Sequence, residues 1–222
     1  MLTTFFTMNH IRWVDNNDWV IGIILLCLFI YVFMLLSLNR ESSLKDFIMQ
    51  PITEGANIVV NWGIVSLVFV LVLAVLISQS VPIVPQLLTS YHVMGWELNK
   101  LGFSLLAIGI FYFSKSFVSF LFYMSIGEGK RWAPLTFVAT KFYFIYSLVL
   151  MGLCIAHYYF GIDPILVFQY YQWMFVIIFI FKLFYYRFNK NEILPREWYY
   201  KILYICTLQI VPLWLLWKLL FI

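Results

Sequence analysis

Six apolar stretches separated by short polar segments set the pattern of this chain. Their approximate bounds are 19–38, 58–77, 98–124, 133–160, 165–181 and 202–217. About 20 apolar residues are enough to cross the hydrocarbon core of a bilayer as a helix. In lipid each stretch must satisfy its own backbone polar groups, which favours helix throughout. The pattern predicts an all-α, polytopic transmembrane helix bundle of about six spans, forming a single integral membrane domain over residues 1–222.

A shorter amphipathic segment lies between the first two spans. Leu44, Phe47 and Ile48 fall at helical spacing and form an apolar stripe. We expect a short interfacial helix here, lying on the membrane surface. Glu54 follows it and is the carboxylate nearest the membrane on that side, where it is a candidate partner for a lysine of the third or fourth span.

The third and fourth stretches form a hairpin whose arms are longer than a membrane requires. The turn between them reads Gly127-Glu128-Gly129-Lys130-Arg131. Each arm has nearly 30 residues, which is about 40 Å of helix, against a hydrocarbon core of about 30 Å. The arms must therefore tilt strongly or project beyond the membrane.

Lys115 and Lys141 interrupt the apolar arms, each 13 residues from Glu128. Two interpretations remain open. In the first, both lysines and Lys182 mark the cytoplasmic surface, and the apolar piece 116–140 lies beyond it. In the second, Lys115 and Lys141 lie inside the bundle at one depth, which is costly unless an anion sits between them.

Hydroxyl side chains recur at helical spacing beside both lysines. They are Tyr112, Ser119 and Tyr123 on one arm and Thr136, Thr140, Tyr143 and Ser147 on the other. Such stripes either line a pocket for a phosphate-bearing lipid or small anion, or make ordinary interhelical hydrogen bonds. On the pocket interpretation, the anion- or lipid-binding residues are Lys115, Lys141, Lys130, Arg131 and Lys182.

Composition agrees with a membrane setting. The chain is 64% hydrophobic and 11% charged, whereas soluble domains are about 45–50% apolar and about 25% charged. The net charge of +4 comes from dispersed residues, and no basic run exceeds Lys130-Arg131. Anionic phospholipid headgroups explain such residues better than nucleic acid, which needs a continuous basic face. We expect the lipid bilayer as partner, and no nucleic acid.

The distribution of basic residues between the loops predicts the orientation. With six spans, the odd-numbered loops carry Arg40, Lys45, Lys130, Arg131, Arg187, Lys190 and Arg196, and the termini and even-numbered loops carry Arg12, Lys100 and Lys218. We therefore expect the odd-numbered loops in the cytoplasm and both termini on the outer face.

Candidate chemistry is sparse. Intramembrane Asp and Glu are absent from the predicted spans, which argues against a proton- or sodium-coupled transporter. The cysteines have no ligand spacing, since Cys27, Cys154 and Cys206 each stand alone in an apolar run. We expect no catalytic motif, metal or cofactor. His92, His157 and Asp163 are the polar cluster to nominate for an enzyme acting on lipid.

Three features carry a resemblance to a known family. They are the aromatic, lysine-bearing third and fourth spans, the Gly-Glu-Gly-Lys-Arg turn at 127–131, and the Leu-Pro-Arg-Glu-Trp sequence at 194–198 that leads into the last span. The layout resembles an uncharacterised multi-pass inner-membrane family, a domain of unknown function typical of Bacteroidota. This resemblance implies a bacterial inner membrane and supplies no active site.

Three functions follow, in order of preference. The first is a non-enzymatic accessory or assembly subunit of a membrane complex. Its hairpin tip would dock other membrane proteins, because an apolar projection needs a cover, through Phe117, Phe120, Leu121, Leu135 and Phe137. The second is a binder or carrier of an anionic lipid or small anion that uses Lys115 and Lys141. The third is a membrane enzyme acting on lipid.

Overall fold

The computed structural model describes residues 18–38, 44–49, 57–78, 100–159, 164–188 and 193–221. All regular structure in these ranges is helical. The helices are α1 (Asp18–Phe33), α2 (Leu44–Met49), α3 (Ile58–Ser78), α4 (Lys100–Ser125), α5 (Trp132–Tyr159), α6 (Pro164–Phe188), α7 (Trp198–Leu203) and α8 (Val211–Phe221). A π-helical segment, Met34–Leu38, extends α1, and a second, Tyr204–Ile210, joins α7 to α8.

Five stretches of the described chain are long and apolar enough to cross a membrane. They are Asp18–Leu38, Ile58–Ser78, Lys100–Ser125, Gly129–Tyr159 and Trp198–Leu216. The chain is thus an all-helical, multi-pass membrane protein, as its apolar pattern predicts. The predicted fifth span lies in α6, which has 25 residues but is not among these five. The six-span topology therefore stays a prediction.

Helix α3 is the centre of the bundle. It packs along α5 and α4, and α1 packs against both α3 and α5. Its apolar residues run all round the helix, which is typical of a buried element. Val65, Val68, Val72 and Ala74 are all at most 1% exposed, and such short side chains let neighbouring helices approach closely.

The short helix predicted between the first two spans is present as α2. It has six residues, and Phe47 is its anchor, since this ring is 2% exposed and meets Phe144 of α5 with ring centroids 5.1 Å apart. Leu44 and Met49 are 52% and 71% exposed. The buried Phe47 ring thus helps to attach the helix to the bundle, and its contact with a membrane surface stays a prediction.

The hairpin of α4 and α5 has arms of 26 and 28 residues, as the sequence indicates. Between them, a single 3₁₀ turn, Gly129–Arg131, leads into α5. Gly127 has φ of +74°, a conformation that glycine adopts without a Cβ penalty. The chain reverses here within a few residues, so the two arms lie side by side.

The segment 193–197 is fastened onto this turn. The Glu128 carboxylate accepts hydrogen bonds from the Arg196 N–H at 3.2 and 3.3 Å, and Arg131 Nη1 donates to the Leu194 carbonyl at 2.6 Å. Tyr123 Oη donates to the Ile193 carbonyl at 3.1 Å. The two loop motifs that carry the family resemblance therefore contact each other, and the chain leading to the last span is held at the hairpin tip.

Candidate functional site

A polar cavity of about 60 Å³ lies between α4, α5, α6 and the second π-helical segment. Its lining consists of Trp62, Tyr112, Lys115, Ser116, Ser119, Trp132, Leu135, Thr136, Ala139, Tyr143, Lys182, Tyr186, Tyr204 and Gln209. Two of these residues are lysines, and among the described residues no carboxylate lines the space. The cavity therefore presents positive charge and hydrogen-bonding groups.

Helical spacing places the polar side chains on facing surfaces. Tyr112, Lys115 and Ser119 are separated by three and four residues, so they share one face of α4. Lys182 and Tyr186 are four residues apart and share one face of α6. The lining is thus a set of regular helix faces, which gives the cavity a rigid frame.

Lys182 is 5% exposed and is surrounded by aromatic rings. Its Nζ donates a hydrogen bond to Tyr143 Oη at 2.5 Å and lies 4.5 Å from the centroid of the Tyr143 ring. The centroid of the Tyr186 ring is 5.4 Å away. Ring faces and a phenol stabilise an ammonium group, but they supply no opposite charge.

Lys115 is partly buried and lies close enough to Lys182 for their charges to interact. Its Nζ is 6.0 Å from the centroid of the Phe111 ring. Two like charges repel strongly where water is excluded. An anion between the two ammonium groups would convert this repulsion into attraction.

Gln209 adds an unpaired polar group to the same space. The side chain is 2% exposed, and its Nε2 donates to Tyr204 Oη at 2.9 Å. Its Oε1 has no hydrogen-bond partner within the described part of the chain. A buried polar atom without a partner is costly, and π-helical turns such as the one holding Gln209 are frequent at functional sites. Both observations indicate a place for a ligand.

The predicted lysines do not all meet. Lys141 is 7% exposed, but its Nζ donates to the Ile48 carbonyl of α2 at 2.8 Å and lies 4.4 Å from the centroid of the Phe137 ring. It is not part of the cavity lining. The structure thus groups Lys115 with Lys182, whereas the sequence interpretation groups it with Lys141.

The basic residues of the hairpin turn also lie away from the cavity. Lys130 is exposed, while Arg131 is partly buried and bonded to the Leu194 carbonyl. Arg131 Nε also lies 3.5 Å from Glu128 Oε2. Arg131 therefore fastens the turn to the segment 193–197.

Two hydroxyl residues of each predicted stripe reach the cavity. Tyr112 and Ser119 do so from α4, and Thr136 and Tyr143 from α5. The other members, Tyr123, Thr140 and Ser147, instead donate to the backbone carbonyls of Ile193, Thr136 and Phe144. The sequence interpretation omitted Trp62, Tyr186, Tyr204 and Gln209. Gln209 had a usable signal, because it is a lone amide inside an apolar stretch.

The chain matches a domain of unknown function, DUF4271, over residues 20–220. It belongs to this family. The match confirms the resemblance to an uncharacterised domain family that the hairpin and its two loop motifs indicate. No curated protein and no solved structure matches the chain, so the argument about function rests on the geometry of the site.

An apolar groove of about 260 Å³ adjoins the polar cavity. Its lining consists of Trp62, Phe113, Ser116, Phe117, Phe120 and Trp132, and three of these residues, Trp62, Ser116 and Trp132, also line the cavity. The groove and the cavity therefore share one wall.

The residues predicted for partner docking divide into two groups. Phe117 and Leu121 are 53% and 47% exposed, whereas Leu135 and Phe137 are 6% and 9% exposed. The Phe120 ring meets Trp132 edge-on, with centroids 5.2 Å apart. Part of the hairpin tip is thus covered by the chain itself, and partner docking stays a prediction.

The remaining candidate chemistry is dispersed. His157 is 4% exposed, and its Nδ1 lies 3.4 Å from Tyr171 Oη. His92, Asp163 and Glu54 lie outside the described residues. Within the described ranges, no group of three or more His, Cys, Asp or Glu residues is placed to hold a metal ion.

Proposed function

We propose that this membrane protein binds an oxyanion, a phosphate or carboxylate group, between Lys115 and Lys182. The observation that carries the proposal is the pair of lysines in one cavity whose described lining holds no carboxylate. Tyr112 and the amide of Gln209 provide further polar groups around the same space. Charge-assisted hydrogen bonds from two ammonium groups would fix such an anion.

The geometry supports this function better than an accessory role. A docking tip would need an exposed apolar surface, and of the residues nominated for it only Phe117 and Leu121 are exposed. Outward-facing apolar residues are in any case what lipid requires of a membrane helix. The cavity, in contrast, contains charge that lipid alone does not explain.

The proposal includes a location. We place the protein in a bacterial inner membrane, with the hairpin turn on the cytoplasmic side. Lys115 precedes the end of α4 at Ser125 by ten residues, and Lys182 precedes the end of α6 at Phe188 by six. Both lysines would therefore lie nearer the cytoplasmic leaflet, whose surface is rich in anionic lipid.

Binding can be measured on the purified protein for two sources of the same chemistry. Native mass spectrometry from mixed micelles with equal phosphatidylglycerol and phosphatidylcholine reports a lipid headgroup, and thermal unfolding with inorganic phosphate reports a free anion. Each charge-assisted hydrogen bond contributes about 1.5–3 kcal/mol. In whichever of the two assays wild type binds, we expect the Lys115→Gln, Lys182→Gln variant to lose more than about tenfold in affinity.

Lys141→Gln is the matched control, because this buried lysine lies on the same hairpin but outside the cavity. It should bind as wild type does. Unchanged binding by the double variant in both assays would refute the proposal. Equal losses in the control and the double variant would also refute it, since the effect would then not belong to the cavity.

A further inference from the structure

We infer that the ligand is an anionic amphiphile with a single alkyl chain, its headgroup in the lysine cavity and its chain in the apolar groove. The inference rests on the proposed function and names the chemical class of its ligand. The shared lining residues Trp62, Ser116 and Trp132 carry it, because they place the polar cavity and the apolar groove next to each other.

The two spaces differ sharply in character. The cavity lining includes both lysines, three or more phenols and an amide. The groove lining consists of five aromatic residues and Ser116, with no charged residue. A small inorganic anion would use only the cavity, and a neutral hydrocarbon only the groove. A molecule with a charged end and an apolar end matches both.

The size and shape favour one chain over two. Phe113, Ser116, Phe117 and Phe120 follow one another at helical spacing, so they form a single row along α4. With the cavity included, the space reaches only the lower end of the range of about 300–1,000 Å³ that small-ligand pockets span. A single alkyl chain fits a groove of this kind, whereas the paired chains of a phospholipid need more room.

A photoreactive dodecyl phosphate, with a diazirine at the chain terminus, tests the inference on the full-length protein in detergent. We expect it to label peptides that contain Phe113, Phe117 or Phe120. Unlabelled dodecyl phosphate should compete at concentrations at least about tenfold below those of inorganic phosphate or dodecyl maltoside, since each of these lacks one end of the ligand.

Two groove variants separate the chain from the headgroup. Ser116→Phe fills the junction and should reduce labelling at least about tenfold. The Phe113→Ala, Phe117→Ala variant should reduce labelling with little risk to folding, because the two rings are 68% and 53% exposed. Leu121→Ala is the control, since Leu121 is exposed on the same helix and lines neither space.

The outcomes are distinguishable. If binding depends on the lysines but the label is scattered over other surfaces, the inference is overturned and the proposed function stands. The same holds if the groove variants are labelled like wild type. Binding that does not depend on Lys115 and Lys182 would overturn both. Lysine-dependent labelling of the groove, reduced by both groove variants and retained by Leu121→Ala, is the expected result.

Discussion

Of the lysines in the described helices, Lys115, Lys141 and Lys182 lie away from the helix ends, and each has a different environment. Lys141 donates to a backbone carbonyl, Lys182 donates to a phenol, and Lys115 lies against an aromatic ring and interacts with Lys182. For the cavity pair, Lys115 and Lys182, these partners are neutral or positively charged. A positive charge in a water-poor site remains costly under such conditions, so on the proposed function the pair in the cavity trades stability for binding.

This trade predicts the effect of removing one charge. Lys182→Met keeps the length of the side chain and abolishes the repulsion with Lys115. We expect the variant to unfold a few degrees above wild type in lipid-free detergent, as measured by differential scanning fluorimetry. Added dodecyl phosphate should stabilise wild type more than the variant. A variant less stable than wild type without ligand would contradict this prediction, because the contacts of Lys182 with Tyr143 would then outweigh the repulsion.

The sequence predicts which residues share a face of one helix better than it predicts which helices pack together. Spacing along α4 places Tyr112, Lys115 and Ser119 together, and the structure retains that grouping. Lys115 and Lys141 are equally far from the turn, but position along an arm does not determine which face points inward. The pairing with Lys182 depends on how α6 packs, and a pattern within one helix contains no information about that.

Among the elements, the hairpin turn and the segment 193–197 act as one unit. Arg131 holds the Leu194 carbonyl, and Glu128 holds the Arg196 N–H. The sequence shows both motifs, but nothing in it shows that they touch, because they are more than 60 residues apart. The contact also explains why Arg131 is partly buried while Lys130, its neighbour, is exposed.

Removing the Arg131 side chain should loosen the segment 193–197 without unfolding the bundle. A hydrogen bond from a charged donor contributes about 1.5 kcal/mol to stability at the lower limit. Because Arg131 is partly exposed, we expect its bond to contribute about this lower value. We expect Arg131→Met to accelerate amide hydrogen exchange in residues 193–203 by about tenfold. Lys130→Met should leave exchange unchanged. Equal exchange rates of residues 193–203 in Arg131→Met and Lys130→Met would show that the contact contributes nothing to stability.

At the scale of the whole molecule, apolar length predicts most of the architecture. The described helices agree closely with the predicted stretches, and five of them are apolar enough to cross a membrane. Helix α6 is not among these five, so its crossing stays a prediction. Whether α6 crosses decides if the spans are even or odd in number, and so whether the termini share a side.

Reporter fusions test the predicted topology. Alkaline phosphatase is active outside the inner membrane, and green fluorescent protein fluoresces in the cytoplasm. With basic loops inside and six spans, phosphatase should be active when fused after Ile222, and green fluorescent protein should fluoresce when fused after Lys130. A fluorescent fusion at Ile222 together with one at Lys130 would show an even number of crossings after the hairpin turn, whereas six spans require three, and would refute the six-span orientation.

The hydrogen bond between Lys182 and Tyr143 has a consequence for biosynthesis. A lysine near the centre of a membrane helix adds about 2.5–3.5 kcal/mol to the free energy of insertion. Lys182 lies six residues before the end of α6, so it meets part of this penalty if α6 crosses the membrane, and Tyr143, which offers relief, belongs to α5. Because α5 leaves the ribosome first, the hairpin is already available as a partner when α6 reaches the translocon. The buried lysine thus implies that insertion of α6 depends on the earlier synthesis of α5.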